Sequence, residues 1–143
     1  MSEFAWPIRV YWEDTDAGQI VYHARYLHFM ERARSEWLRH IGIEQDQVRD
    51  EQNVVFVVTE SYLKWIKPAR YNDELNVTVE NVKIGRASLQ FEQRVCRQNQ
   101  DGEELLVTAT VRAAAVADGG LKPMRIPQSI YEKFVAGAKA LAE

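Results

Sequence analysis

The chain has one cysteine, Cys96, so no disulfide can close within it, and a lone thiol gives no reason to expect a metal centre. Cysteine usage this sparse favours a reducing compartment. No basic segment leads into a long apolar run, so neither a signal peptide nor a membrane span is expected, and the location this points to is cytoplasmic. Basic tails and Lys/Arg runs are missing too, which argues against an extended nucleic-acid surface. There are no internal repeats and no low-complexity segments. What is present is 143 residues, 46% hydrophobic and 27% charged with a net charge of −3, enough for one domain over 1–143 with a core of its own. A mildly acidic chain can still hold an anionic ligand on a local basic patch.

The most informative stretch is Glu13 to Ile41. Two acids, Asp14 and Asp16, precede Ala17-Gly18, a short apolar link at Ile20-Val21-Tyr22, and His23. From Tyr26 the apolar residues recur at Met30, Ala33, Trp37 and Ile41, with Leu27, Phe29 and Leu38 widening the stripe. That spacing predicts a helix lying on a core, and Gly42 is placed to stop it. The first turn of a helix presents N–H groups without intrahelical partners, and these favour negative charge. An acid held nearby can serve as base or nucleophile while the N–H groups stabilise an oxyanion. In an arbitrary acid-rich turn the plainer roles prevail: turn residues for Asp14 and Asp16, a helix-start residue for His23.

Pro7 to Glu13 reads as a first strand, with Ile8, Val10 and Trp12 on one side. Glu44 to Asn53 is polar with little periodicity and reads as a surface connection. Val54 to Val58 is continuously apolar, a strand covered on both faces, with a partner subunit as one possible cover. It extends toward Trp65, and Pro68 ends or bends it. Asp73 to Val82 alternates with Leu75, Val77 and Val79 on one face; after a turn at Lys83–Arg86, Ala87 to Arg97 repeats the pattern with Leu89, Phe91 and Val95. Asp101-Gly102 marks a second hairpin. Leu105 to Ala117 then puts Leu105, Val107, Ala109, Val111, Ala113, Ala115 and Ala117 on one side. Pro127 to Ala140 reads as a terminal helix with Ile130, Phe134 and Ala138 inward. The sum is an α+β domain, a long helix against an antiparallel sheet.

Two blocks carry a family resemblance. Asp14-Thr15-Asp16-Ala17-Gly18, then Val21-Tyr22-His23-Ala24-Arg25-Tyr26 and Phe29-Met30-Glu31-Arg32-Ala33-Arg34, resemble the loop and helix of hot-dog-fold acyl-CoA thioesterases. Pro68-Ala69-Arg70-Tyr71-Asn72-Asp73-Glu74-Leu75 resembles a second block of the same enzymes. The chain is most similar to the 4-hydroxybenzoyl-CoA thioesterase group, and within it to the small bacterial thioesterases encoded beside the Tol–Pal system. The resemblance implies a hot-dog fold: a long central helix packed against a curved five-stranded antiparallel sheet, with a C-terminal helix. It implies hydrolysis of acyl-CoA thioesters, with short to medium acyl groups as the working expectation, by a homodimer or homotetramer whose sites lie at the subunit boundary. No cofactor is expected, since CoA is part of the substrate and a product. An acyl carrier protein is a further candidate donor or partner.

By the same resemblance the family's aspartate maps onto Asp16, and the backbone N–H facing the thioester carbonyl maps onto His23, with Gly18 shaping the loop. The 4-hydroxybenzoyl enzyme carries a tyrosine at the His23 position, so that aromatic substrate is not implied. Asp16 either attacks the carbonyl or activates water, and the sequence leaves both open. The His23 imidazole either orients water, Asp16 or the leaving thiolate, or caps and packs. Asp14 is expected to anchor the loop, and Tyr22 and Glu31 to support the site. Glu31 is a rival base, but at eight residues from His23 it lies roughly 12 Å down the axis; a buried or subunit-boundary anchor suits it better. Lys64, Lys67, Arg70, Lys83 and Arg86 are candidates for the CoA phosphates, against the plainer reading of a charged rim. Tyr62, Trp65 and Tyr71 border an acyl channel or belong to the core. His28 and His40 have no partner cluster, so no metal site is indicated. Two other classes stay open: a hot-dog hydratase or dehydratase, and a non-catalytic acyl-carrier or acyl-ligand binding module.

Overall fold

The computed structural model describes residues 3–143. Five strands, β1 (Glu3–Arg9), β2 (Val54–Trp65), β3 (Glu74–Ile84), β4 (Ser88–Asn99) and β5 (Gly102–Ala117), form one antiparallel sheet in the order β1-β3-β4-β5-β2. Helix α1 (Arg25–His40) and α3 (Gln128–Ala142) cover it, and α2 (Gln45–Gln52) leads into β2. The period-two residues Leu75, Val77, Val79, Leu89, Phe91 and Val95 are buried, as are Tyr26, Phe29, Met30, Ala33, Trp37 and Leu38 of α1. Trp37 is the hub: its indole meets Phe91 of the sheet at 6.0 Å and Phe134 of α3 at 6.1 Å between ring centroids.

One polar clamp fixes the helix along its axis. The buried Gln93 amide donates to the carbonyls of Met30 in α1 and Thr78 in β3, both at 3.1 Å, and accepts Arg34 Nη1 at 2.9 Å. Burial pushes the Arg34 guanidinium down to about 10, with Glu31 opposing the shift. A buried polar group so fully bonded gives a helix one register on its sheet. Cys96 is also buried, and burial pushes its thiol up, which keeps it protonated.

Several boundaries differ from the sequence reading. The first strand is Glu3–Arg9, and Trp12 lies in a short 3-10 turn, 72% exposed rather than inward. Pro7 is tolerated inside β1 because this is an edge strand. Residues 45–52 are a helix, not an irregular connection: only Val48 turns inward, so the apolar periodicity is nearly silent, and Asn53 ends the helix in the left-handed region at φ 56°. Leu27 points outward. In β5 the register shifts opposite Val95/Cys96, where Leu106 is the extra residue. Leu106 is therefore the buried one and Leu105 is exposed, reversing the parity expected from strict alternation. Within this chain Val54 is fully buried and Val58 is 50% exposed, so one chain alone does not cover both faces of the run.

Candidate active site

The acid loop is tied down from beneath. Asp14 is 4% exposed; its Oδ2 accepts the Tyr11 N–H at 2.8 Å, and its Oδ1 lies 3.4 Å from Arg25 Nε in the first turn of α1. Its backbone carbonyl takes the Tyr22 N–H at 2.9 Å, and Arg25 donates to the Glu13 carbonyl at 2.9 Å. Loop and helix start are thus one unit. Asp16 sits above it, with Oδ1 accepting the Gly18 N–H at 2.8 Å. A Cβ on Gly18 would stand 3.1 Å from that oxygen, so a larger residue would press on the carboxylate. Asp16 Oδ2 has no hydrogen-bond partner among the described residues.

The start of α1 is open. Its N-cap, Ala24, has no side-chain oxygen, and the His23 and Ala24 N–H groups meet no acceptor among the described residues. The His23 ring leans on Tyr22 at 4.6 Å and stands edge-on to Trp65 at 6.0 Å. Asp16 and His23 share the wall of a cavity of about 330 Å³. Ile20, Val21 and Tyr26 close one side, and Trp65, Ile66, Lys67 and Pro68 the other.

The second side comes from far along the chain and is built onto the bulge. The Leu106 carbonyl accepts the N–H groups of both Ile66, at 2.8 Å, and Lys67, at 3.1 Å. Arg97 braces the same segment through Asp73 at 2.6 Å and the Pro68 carbonyl at 3.3 Å. Tyr26 joins the two sides: its hydroxyl accepts the Ala69 N–H at 3.0 Å. Burial pushes the Tyr26 phenol above its ordinary range, and the Ala69 N–H offsets part of the shift.

The structure brings together only part of the candidate set. Asp16, His23 and Lys67 line one cavity, Gly18 holds Asp16, Tyr22 packs on His23, and Asp14 lies beneath. The Lys67 ammonium is paired with Glu104 at 3.0 Å. Glu31 is exposed, which rules out the buried anchor, and its carboxylate takes the Ser35 hydroxyl. It borders a different hollow, of about 460 Å³, beside α2, because its helical position faces away from the acid loop. Lys64 and Arg70 are exposed near the cavity segment without lining it. Lys83 pairs with Gln90 near the end of β3, rather than lying in the turn, and Arg86 belongs to the β3–β4 turn. Val77, Val95, Val107 and Trp65 pair across in one row, and Ile84 lies seven residues further along β3. At about 3.3 Å per residue that turn is about 23 Å from the Trp65 row. Arg86 instead shares a hollow of about 150 Å³ with Arg125, Gln128 and Tyr131 at the start of α3; no local signal singles out Arg125. Among the described residues no three His, Cys, Asp or Glu side chains converge to hold a metal. No helix among them is long and apolar enough to cross a membrane.

A central helix held against a five-stranded antiparallel sheet, with an acid loop at its open end, is the hot-dog arrangement. A 4-hydroxybenzoyl-CoA thioesterase from Pseudomonas sp. strain CBS-3 has this fold at a TM-score of 0.83 and 19% identity, over 93% of this chain and 99% of that one. A probable thioesterase from Bartonella henselae has a TM-score of 0.78 at 34% identity, over 87% and 99% of the two chains. The family is fixed by sequence: residues 10–134 match the thioesterase-like superfamily. The acyl-CoA thioesterase YbgC of Haemophilus influenzae is 42% identical over 131 residues, 92% of this chain and 93% of that protein. The chain belongs to the thioesterase-like superfamily and is an enzyme of its acyl-CoA thioesterase group.

Proposed function

We propose that this chain hydrolyses acyl-CoA thioesters of short to medium acyl length to the free acid and CoA, using Asp16 and the open start of α1. The observation that carries this reading is the shared cavity: the Asp16 carboxylate, with one oxygen unpartnered among the described residues, and His23, whose N–H is likewise unpartnered among them, are in one wall. As the thioester carbonyl gains negative character, N–H groups at a helix start stabilise it. Asp16 then acts in one of two balanced ways. Either Oδ2 adds to the carbonyl carbon, the C–S bond breaks with CoA leaving as thiolate, and water cleaves the resulting anhydride; or Oδ2 takes a proton from water as that water adds. The apolar wall of Ile20, Val21, Trp65 and Ile66 suits an acyl or pantetheine chain. Lys67 is the one basic candidate placed to meet CoA in that cavity; Lys64, Arg70, Lys83 and Arg86 would reach it only at the rim or from another copy.

Assembly as a homodimer, or a homotetramer built from it, is part of the same proposal. Strand β2 is an edge strand of 12 residues, and Val58 and Tyr62 on it are 50% and 74% exposed, an edge suited to pairing with a second copy. An acyl carrier protein as thioester donor, and a cytoplasmic setting, remain part of the reading on the sequence alone.

The test is a panel of acyl-CoAs of increasing length. Free thiol should appear, fastest for short to medium chains. A changed enoyl absorbance without thiol would replace this reading with hydration or dehydration, and binding with neither product would replace it with a binding module.

A further inference from the structure

Tyr26 is the one polar wall residue of the cavity that is deeply buried and only half bonded. It is 2% exposed, and its single hydrogen bond among the described residues is the one it accepts from the Ala69 N–H. A phenol both accepts and donates, and buried tyrosines ordinarily find partners for both functions. No described residue takes the Tyr26 O–H. Burial raises the phenol, so the proton stays on it at neutral pH and the group is a donor there.

Geometry limits where that donor can point. Tyr26 lies in the first turn of α1, and helical side chains lean toward the N-terminus of their own helix. The phenol therefore leans toward the end where the His23 and Ala24 N–H groups have no acceptor among the described residues, and its side chain belongs to the same cavity wall as Asp16. A thioester brings few acceptors to such a site. Its alkyl chain has none and its sulfur is a weak one; the pantetheine amides stand several bonds beyond the sulfur, so the strong acceptor at the reacting centre is the carbonyl oxygen.

We propose that the Tyr26 hydroxyl donates a hydrogen bond to the carbonyl oxygen of the bound thioester, a side-chain partner to the His23 backbone N–H. This rests on the cavity being the thioester site. The phenol keeps its proton throughout; no bond to Tyr26 forms or breaks, and the hydrogen bond tightens as the carbonyl oxygen gains charge. Tyr26 would thus be a catalytic residue as well as the brace for the 66–69 segment.

The test uses two unreactive CoA analogues: a ketone with methylene in place of the thioester sulfur, and a thioether with methylene in place of the carbonyl. The wild-type protein should bind the ketone at least tenfold more tightly. Tyr26→Phe should lower kcat by about tenfold or more, since losing one oxyanion donor costs about 10²–10³, and should bring the two affinities within about threefold. A purely bracing tyrosine would weaken both analogues equally; an unchanged ratio overturns the proposal, as does a wild-type protein with no preference. If Tyr26→Phe does not fold, 3-fluorotyrosine placed at position 26 keeps the brace and makes a stronger donor, so the ketone preference should rise, and an unchanged one overturns the proposal. Asp16→Asn separates the two readings. Wild-type hydrolysis in Asp16→Asn would reject the site itself, and with it the proposal. An inactive Asp16→Asn protein with an unmoved Tyr26→Phe ratio rejects only the role of Tyr26.

Discussion

The two ends of α1 follow opposite rules. At the C-terminal end the carbonyls of Trp37, Leu38 and Arg39 are bonded: Ile41 N–H returns to Trp37 at 3.0 Å, Ile43 N–H to Leu38 at 2.8 Å and Gly42 N–H to Arg39 at 3.0 Å. Gly42 makes that turn at φ 90°, Lys133 of α3 caps its carbonyl at 2.9 Å, and Arg39 and His40 complement the dipole. At the N-terminal end there is no side-chain cap, and the His23 and Ala24 N–H groups meet no acceptor among the described residues. An end sealed this thoroughly contributes stability. An end left open costs some, and in a thioesterase the open N–H groups are what a developing oxyanion needs.

If that contrast is right, substitutions at the open end should cost turnover and those at the sealed end should cost only stability. Asp16→Asn carries the largest expected effect: the amide oxygen can still accept the Gly18 N–H, so melting should hardly move while kcat falls about 10²–10⁴-fold. Undiminished turnover in that variant would break the comparison at its root. The next effect comes from His23→Pro, which removes the free N–H and should cost about 10²–10³ in kcat. His23→Ala keeps that N–H and should lose less than about tenfold; equal losses in the two, measured side by side, would shift the role to the imidazole. At the sealed end, Gly42→Ala forces a Cβ into the left-handed region and should destabilise by about 1–2 kcal/mol in denaturant melts, with kcat at 25 °C unchanged. The smallest effect is expected from Lys133→Met, which removes one exposed cap and should cost about 0.5–1.5 kcal/mol without touching turnover.

The same contrast explains what could be read from sequence. Alternation in β3 and β4 and the four-three spacing of α1 report burial directly, because side-chain period and buried face coincide. The acid loop and the helix start were legible for a similar reason: Asp14, Asp16, Gly18 and His23 lie within a few residues of one another. What lies across the cavity was not. Trp65 to Pro68 reach the site because a bulge at Leu106 offers its carbonyl to Ile66 and Lys67, and that inserted residue also puts Leu106 in place of Leu105 at the start of an inward row that otherwise holds from Val107 to Ala115. Tyr26 reads by spacing as part of an apolar stripe, which reports where the ring goes and says nothing of where the hydroxyl proton goes. Lys83 and Arg86 were credible phosphate partners as loose cations on a turn, but strand pairing sets that turn at the far end of the sheet. Helix α2, with one inward residue, has almost no pattern to find.

Phe134 has a consequence for how the molecule comes into being. Its ring is fully buried against Trp37 and against Phe56 of β2, yet it belongs to α3, which follows all five strands in chain order. Until α3 leaves the ribosome, the Trp37 indole has Phe91 on one side but lacks Phe134, and the Gly42 carbonyl lacks Lys133. Synthesis of the sheet and of α1 thus precedes closure of the interior, and the nascent protein carries an exposed apolar seam until α3 emerges.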